Sequence, residues 1–172
     1  MNFFDSRIEY VKEKLIGERF GSLGSNCAFA WLTFGTLDSP ATSTMRLRSG
    51  KVITNFISDR YVFHIQCTFY YVDNSENVIE LDWRSDKSIF DRICSYCNGY
   101  SVDDVYIGEY NNDKYLAIKL DNGCEFEICI FEVDDESETW RLIDYSGKQS
   151  SHMVCYGSVI KGGESKNHDN LL

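Results

Sequence analysis

The chain has 172 residues, a length typical of one domain whose hydrophobic core needs no disulfide or metal ion for stability. Its composition, 43% hydrophobic and 15% aromatic with a single proline, excludes an intrinsically disordered protein, and no segment approaches the ~18 continuous apolar residues of a membrane span. The formal net charge of −10 argues against nucleic acid as a direct partner, because phosphate binding requires clustered Lys and Arg.

The cysteines and the N-terminal residues indicate the cellular location of the protein. Seven cysteines are an odd number and are scattered through apolar stretches, which favours reduced thiols over a disulfide framework. The first residues, MNFFDSRIEYVKEK, contain no apolar segment of the kind found in secretory signal peptides. Together these features predict a cytoplasmic protein.

The first part of the chain predicts a helix followed by a central strand. Residues 3–20 carry an apolar stripe with helical spacing and are expected to form an amphipathic helix. Gly21 is expected to end this helix, and residues 21–26 are expected to form a loop. Residues 27–35 are apolar on both faces, as expected of a strand in the middle of a sheet.

Four further strands are predicted by period-two alternation, over residues 44–48, 52–58, 61–72 and 78–83. A tight turn at Asp59 and Arg60 would pair the second of these strands with the third. That pairing would place Phe56 opposite Phe63 and give the two strands a coherent apolar face.

A second helix is predicted over residues 87–98, with Ser85 or Asp86 as its N-cap and Asn98 at its end. Its buried stripe consists of Ile89, Phe90, Ile93 and Cys97. Five more strands are predicted after it, over residues 102–110, 116–120, 124–133, 139–143 and 153–160.

The hairpin around the turn Asp-Asn-Gly is the most detailed of these predictions. A three-residue loop, with Gly123 in the left-handed conformation, would pair Leu120 with Cys124. The same register places Lys119 opposite Glu125 on the outer face, which is a favourable cross-strand pair.

These elements predict an α+β fold, in which two helices pack against mostly antiparallel β-sheet or sheets of about 8–10 strands. A single globular domain is expected over residues 1–161. Residues 162–172 are expected to form a flexible C-terminal tail.

The negative charge is concentrated in one segment. Residues 101–145 contain 13 acidic and three basic residues, a net charge of −10, and the rest of the chain is balanced. The segment could be a solvated sheet face, a docking surface for a basic protein, or a calcium or magnesium site. The metal site is disfavoured because the run D-D-E-S-E lacks a glycine-bearing EF-hand loop. Aromatic residues near the acids could be buried either in an interface or in the core, namely Tyr106, Tyr110, Trp140 and Tyr145.

Two other groups of residues are candidates for chemistry. Cys94 and Cys97 could bind a metal ion, but they lie at the C-terminal end of a helix without a second knuckle-spaced pair, so buried free thiols are expected. His64 and His152 could belong to a Ser/His/Asp or Cys/His site, whose members converge in space rather than in sequence. The chain contains no G-x-S-x-G motif that would identify such a nucleophile.

A resemblance to a known group of proteins covers about a third of the chain, residues 114–163. It consists of L-A-I-K-L-D-N-G-C-E-F-E-I, an acidic run, E-T-W-R-L-I, a glycine turn, and a last strand that ends in K-G-G. This pattern resembles bacterial immunity proteins encoded beside polymorphic-toxin genes, including those of contact-dependent growth inhibition systems. The resemblance implies an inhibitor that binds the toxic domain of a cognate effector, often a basic nuclease, in the cytoplasm of the producing cell.

The function expected from charge and resemblance is therefore an immunity protein that neutralises a basic toxin domain through an acidic surface. We expect no catalysis by this chain, no cofactor, no metal ion, and no contact with nucleic acid or membrane. The alternatives are a ligand-binding or scaffold module with a solvating acidic face, and an enzyme that uses His64 or His152. The residues expected to bind the partner are Asp103, Asp104, Glu109, Glu125, Glu127, Glu132, Asp134, Asp135, Glu136, Glu138 and Trp140.

Overall fold

The structure, a computed structural model, describes residues 3–46, 49–130, 138–147, 150–156 and 159–163. In chain order, its elements are α1 (Phe3–Leu15), β1 (Phe20–Ser25), β2 (Ala30–Phe34), β3 (Ala41–Arg46), β4 (Val52–Ile57), β5 (Tyr61–Ile65), β6 (Phe69–Val72), β7 (Val78–Leu81), α2 (Lys87–Cys97), β8 (Val102–Tyr110), β9 (Asp113–Leu120), β10 (Glu125–Cys129), β11 (Glu138–Asp144), β12 (Ser151–Tyr156) and β13 (Val159–Gly163). This arrangement confirms the α+β class with two helices. The described residues contain thirteen strands, more than the eight to ten expected, because two predicted strands are each divided and one predicted loop is a strand.

The strands form three antiparallel sheets. The six-stranded sheet has the order β1-β2-β5-β11-β12-β13, and the five-stranded sheet has the order β7-β6-β10-β9-β8. Strands β3 and β4 form a separate two-stranded sheet, which we call the β3–β4 arm. Every strand pairing between these elements is antiparallel.

The core lies between the two larger sheets. Phe20 of the six-stranded sheet stacks on Phe126 of the five-stranded sheet, with ring centroids 5.9 Å apart. Phe126 also contacts Tyr71, and within the six-stranded sheet the ring of Phe63 packs against that of Trp140, with centroids 5.7 Å apart. Helix α1 packs against β8 and helix α2 against β1, so both helices add their apolar stripes to the same core cluster.

The β9–β10 hairpin has the predicted register. Ile118 faces Phe126, and Lys119 faces Glu125. The backbone N–H of Leu120 donates to the carbonyl of Cys124 at 2.8 Å, which closes the three-residue loop. Gly123 has a φ of 86°, a left-handed conformation that residues with a side chain rarely adopt. Local turn chemistry was therefore enough to determine this part of the fold.

Helix α2 also forms as predicted. The Asp86 side chain accepts a hydrogen bond from the N–H of Ser88 at 2.7 Å, which is the expected N-cap contact. Phe90, Ile93 and Cys97 are buried on one face of the helix. The helix ends at Cys97, and Gly99 follows with a φ of 89°.

The first helix is shorter than predicted, and the loop predicted after it is a strand. Helix α1 ends at Leu15, and residues 20–25, expected to be helix end and loop, form strand β1. The apolar stripe of the helix does not continue past Leu15, and Gly17 has a φ of 80° that ends the helix early. Strand β1 then pairs with β2, and the N–H of Ser22 donates to Thr33 Oγ1 at 2.7 Å.

The predicted pairing across Asp59 and Arg60 was also wrong. Strand β4 pairs only with β3 within the described residues, whereas β5 lies between β2 and β11. Phe63 is therefore fully buried while Phe56 is 80% exposed. An alternating pattern specifies which face of a strand is apolar, but it does not specify the strand's partner.

The long strand predicted over residues 61–72 is divided between two sheets. Strand β5 belongs to the six-stranded sheet and β6 to the five-stranded sheet, and residues 66–68 cross between the two sheets. The odd-numbered residues from Tyr61 to Tyr71 are all buried, so the alternation continues without interruption through the crossing. Sequence periodicity could not reveal the break for this reason.

The C-terminal strand prediction was likewise too simple. Residues 153–160 contribute to two strands, β12 and β13, which pair with one another. Gly162 and Gly163, the first two residues of the predicted tail, lie in β13 opposite Met153 and His152. Residues 164–172 lie outside the described residues. No helix in the described part of the chain is long and apolar enough to cross a membrane.

Candidate functional site

The predicted partner-binding residues are distributed over both sheets. Trp140 is completely buried in strand β11, so its inclusion in a binding surface was wrong. The alternation of β11 directs Trp140 toward the core, where it packs beside Phe63. Four further predicted residues lie outside the described part of the chain, namely Glu132, Asp134, Asp135 and Glu136.

Glu138 lies on the six-stranded sheet and is already paired. Arg141 binds it through two hydrogen bonds, from Nε to Oε1 at 3.0 Å and from Nη2 to Oε2 at 2.6 Å. The Glu138 side chain is 14% exposed. A bidentate pair of this kind leaves the carboxylate little capacity for a partner's cation.

Three of the predicted residues lie on strand β8. Asp103 is exposed beside a bulge, and Glu109 is exposed near the other end of the strand. Asp104 accepts a hydrogen bond from Lys12 Nζ at 2.6 Å, and this contact holds the pKa of Asp104 below its usual value. Asp103 and Glu109 therefore remain open to solvent, whereas Asp104 is paired with a cation from helix α1.

Glu125 and Glu127 project from strand β10 onto the outer face of the five-stranded sheet, the side turned away from the core. The strand register places two tyrosines, Tyr70 and Tyr106, in the same cross-strand row as Glu127. Tyr115 lies in the next row, opposite Cys129 and Gly108. We call this surface the tyrosine–glutamate face, and it consists of Tyr70, Glu80, Tyr106, Tyr115, Glu125 and Glu127.

The phenol groups hold this face in shape. Tyr106 Oη donates a hydrogen bond to Glu125 Oε2 at 2.7 Å. The Tyr115 ring lies over Gly108, where a Cβ atom would collide with it. Ala117 points to the same side of the sheet and is nevertheless fully buried, so the larger side chains form a continuous layer above it.

The two glutamates differ in how their charge is balanced. Glu125 has Lys119 opposite it in the strand register and Tyr106 as a hydrogen-bond donor. Glu127 is half-buried, and its cross-strand row, Glu80-Tyr70-Glu127-Ala117-Tyr106, contains no basic residue. Burial and the nearby Glu125 raise the pKa of Glu127, although a hydrogen bond from Tyr115 partly opposes the increase.

An incompletely neutralised carboxylate among tyrosine rings is suited to binding a cation from a partner. A Lys or Arg side chain placed over Glu127 would remove the repulsion from Glu125 and could stack on a neighbouring ring. Both glutamates and Tyr106 were predicted from the sequence as possible binding residues, whereas Tyr70, Glu80 and Tyr115 were not. The alternation of their strands indicated that these side chains face outward, but not that β6 and β9 flank β10.

A second cluster of titratable groups lies on the outer face of the six-stranded sheet. His64 stacks on Phe29 with ring centroids 4.2 Å apart and lies opposite Arg141 in the strand register. Burial, followed by the charge of Arg141, lowers the pKa of His64 to about 4. The imidazole is therefore neutral at physiological pH.

His152 belongs to the same cluster, in an arrangement unlike that of a catalytic triad. Its Nδ1 atom lies 3.4 Å from Arg141 Nη1, and its Nε2 atom lies 3.4 Å from Ser150 Oγ. An arginine beside Nδ1 favours the tautomer that has its proton on Nε2. A histidine in that tautomer cannot accept the proton of Ser150, which is the step that a serine nucleophile requires.

Lowering the pH is expected to destabilise the protein through His64. The folded-state pKa of about 4 lies below the ordinary 6.5, so the unfolded chain binds a proton that the folded state excludes. The contribution of His64 to the free energy of unfolding should be fully present above pH 6.5. Between pH 6.5 and 4 the free energy of unfolding should fall by on the order of 1 kcal/mol per pH unit. Urea unfolding of the wild type and of His64→Asn at neutral and mildly acidic pH measures this loss. Equal pH dependence in the two proteins would contradict the prediction.

The cysteines of the Cys-x-x-Cys segment are free thiols. Cys94 Sγ accepts a hydrogen bond from the N–H of Leu23 at 3.2 Å, and Cys97 is fully buried, with its pKa raised to about 12 by burial. A thiol of such high pKa is protonated at neutral pH and is a poor nucleophile. In the part of the chain that the structure describes, no three His, Cys, Asp or Glu side chains are grouped in a way that could hold a metal ion.

A polar cleft of about 460 Å³ lies between the end of helix α2 and two loops. Tyr96 Oη donates to Asn74 Oδ1 across it at 3.2 Å, and Tyr96 and Tyr100 are 49% and 41% exposed. The cleft carries no formal charge, because it is lined by Asn74, Ser95, Tyr96, Asn98, Tyr100 and Asn122. It suits an uncharged ligand with hydrogen-bonding groups.

Comparison with known proteins gave no relative of this chain. No protein-family model, no curated protein and no solved structure matches it.

Proposed function

We propose that this protein is a non-catalytic binding protein that takes a basic protein partner on its tyrosine–glutamate face. The observation that carries the proposal is the environment of Glu127, a half-buried carboxylate next to Glu125 with no basic residue in its cross-strand row. Its raised pKa reflects a cost of holding the charge, which a partner's cation would relieve. A binding surface gains affinity from such a site, whereas a merely solvated face would gain nothing from it.

The overall charge supports the same partner. The segment 101–145 carries a net charge of −10 in sequence, and strands β8, β9 and β10 bring six acidic and two basic residues of it to one sheet, a net charge of −4. Complementary fields raise association rates with an oppositely charged partner. The tyrosines of the face add the large, rigid contact surface that is common at the centres of protein interfaces.

The partner that fits best is the toxic domain of a cognate effector, which the protein would neutralise in the cytoplasm of the producing cell. Nuclease toxins bind nucleic acid through clustered Lys and Arg, so they present the basic surface that the face is suited to. The resemblance of residues 114–163 to immunity proteins of polymorphic-toxin systems supports this identification. Glu125 and Glu127 would pair with basic side chains that otherwise contact phosphate.

A second candidate function is suggested by the polar cleft beside Tyr96 and Tyr100. Its uncharged lining would fit a small neutral ligand, which is the role of a ligand-binding module. Salt distinguishes the two functions. Binding of a basic protein weakens as the ionic strength rises, whereas binding of a neutral ligand in the cleft does not.

Affinity capture from a lysate of the source organism tests the proposal. The wild type, immobilised at low salt, is expected to retain one basic polypeptide that rising salt elutes and mass spectrometry identifies. Glu125→Gln/Glu127→Gln should lose it because the variant removes both carboxylates of the face. Glu9→Gln/Glu13→Gln, which removes two exposed carboxylates of helix α1, should retain it. Equal retention by the two variants would place the binding site elsewhere.

A further inference from the structure

The β3–β4 arm stands apart from the two larger sheets. Its strands pair only with each other among the described residues, and the N–H of Leu37 donates to the carbonyl of Ser58 at 2.8 Å at its base. Phe56 is 80% exposed and Val52 is 55% exposed. The register places them opposite Thr42 and Arg46, so both project from the same face of the ribbon.

A ribbon of this kind is incomplete by itself. A two-stranded sheet is at best marginally stable in water, and among the described residues each strand of the arm pairs on one side only. Phe56 and Val52 are both exposed on one face of the ribbon, and exposed apolar residues that share a surface commonly mark an interaction site. The arm therefore has the features of a segment that another molecule covers.

The charge of this part of the chain indicates which kind of surface would cover the arm. In sequence, residues 41–57, which comprise the two strands of the arm and the segment that joins them, contain Arg46, Arg48 and Lys51 and no acidic residue. Their net charge is +3, which leaves −13 on the rest of the chain. A ribbon face with a basic residue, Arg46, and an exposed aromatic residue, Phe56, complements an acidic surface with aromatic side chains. The protein itself carries such a surface, the tyrosine–glutamate face.

We propose that the arm docks on the tyrosine–glutamate face of a second copy of the chain, forming a symmetric dimer. Arg46, which projects from the same face as Phe56, would pair with the glutamates of the partner copy, and Phe56 would lie among its tyrosines. In a two-fold dimer the arm–face contact occurs twice, because the arm of each copy lies on the tyrosine–glutamate face of the other. The inference does not depend on which toxin, if any, the protein binds, although a basic partner would compete for the same face.

The size of the arm sets the expected strength of the dimer. Six-residue strands extend roughly 20 Å, and two strands side by side present a surface roughly 10 Å wide. Two reciprocal contacts of this size fall at the lower end of specific protein interfaces, where complexes are weak and reversible. The dimer is therefore expected to depend on protein concentration and, because it uses charge, on salt.

Sedimentation velocity over a range of protein concentrations at low salt tests the proposal. The wild type is expected to shift from 19.9 kDa toward twice that mass as its concentration rises. Phe56→Ser should weaken dimerisation at least tenfold, and Ile16→Ser, which alters an exposed apolar residue outside the arm and the face, should leave it unchanged. A wild type that remains at 19.9 kDa at every concentration, or a dimer that Phe56→Ser leaves intact, would overturn the proposal.

A charge exchange tests the docking place on the partner copy. Arg46→Glu and Glu127→Lys should each weaken dimerisation at least tenfold. Combined in one chain, the two substitutions restore opposite charges on arm and face and should restore the dimer. A combined variant that stays monomeric would overturn the assignment of the face. The experiment measures only the mass of the sedimenting species, so its outcome is independent of whether affinity capture recovers a toxin.

Discussion

Replacing Trp140 with alanine is expected to lower the free energy of unfolding by about 3–5 kcal/mol. The side chain is fully buried in strand β11, between Ile65 and Cys155 of the neighbouring strands, and its ring lies 5.7 Å from that of Phe63. Alanine would leave a large cavity among rigid strands that cannot close around it. Urea denaturation monitored by circular dichroism measures the loss.

Two variants separate packing from hydrogen bonding at this position. Trp140 Nε1 has no hydrogen-bond partner among the described residues, so the ring contributes through packing alone. Trp140→Phe, which retains most of the apolar volume and removes the unpaired donor, should therefore cost much less than Trp140→Ala. Trp83→Ala, at a half-buried position, is the matched control. A loss at Trp140 no larger than at Trp83 would contradict its central role in the core.

Reversing the charge of Glu125 and Glu127 to lysine is expected to slow association with a basic partner by about tenfold or more at low salt. The change replaces two attractive charges with two repulsive ones at the centre of the proposed binding surface. The thermal stability should fall only slightly, because neither residue contributes apolar side chain to the core cluster. The lost hydrogen bond from Tyr106 and the lost cross-strand pair with Lys119 are surface contacts that contribute about 1 kcal/mol each. Stopped-flow or surface-based kinetics with the captured partner measures the association rate.

The control for this experiment is Glu9→Lys/Glu13→Lys, which makes the same change in net charge on exposed positions of helix α1. A uniform effect of net charge would slow both variants equally, whereas a local effect of the face would slow only the first. Raising the salt concentration should reduce the difference between them, since the Debye length falls to about 3 Å at 1 M salt. Identical rates for the two variants would count against the tyrosine–glutamate face.

Elements whose signals are local in sequence were predicted well. The β9–β10 hairpin was correct in its register because the turn and the pair Lys119–Glu125 lie within a few residues of each other. Helix α2 was correct for the same reason, since Asp86 caps the helix that it precedes. The positions of Glu125 and Glu127 on an outer face followed from strand alternation alone.

Contacts between distant segments were not predictable from the same signals. The alternation of buried and exposed residues continues unbroken where the chain crosses from β5 to β6, so it does not reveal the crossing. The pairing of β4 with β3 depends on how the sheets assemble. Trp140 was predicted to lie at an interface because it follows an acidic run. Its position in the alternation of β11 instead directs its side chain into the core. Such outcomes depend on residues that are close in space and far apart in the chain.

The sequence by itself determined the α+β class, both helices apart from the length of the first, the β9–β10 register and the concentration of negative charge in residues 101–145. Each of these follows from composition or from interactions between near neighbours. Only the tertiary structure decided that Tyr70 and Tyr106 lie in the row of Glu127, that Arg141 is committed to Glu138, and that the β3–β4 arm stands apart. Burial and strand partnership are properties of the assembled sheets, and they decide which of the many acidic residues can act together.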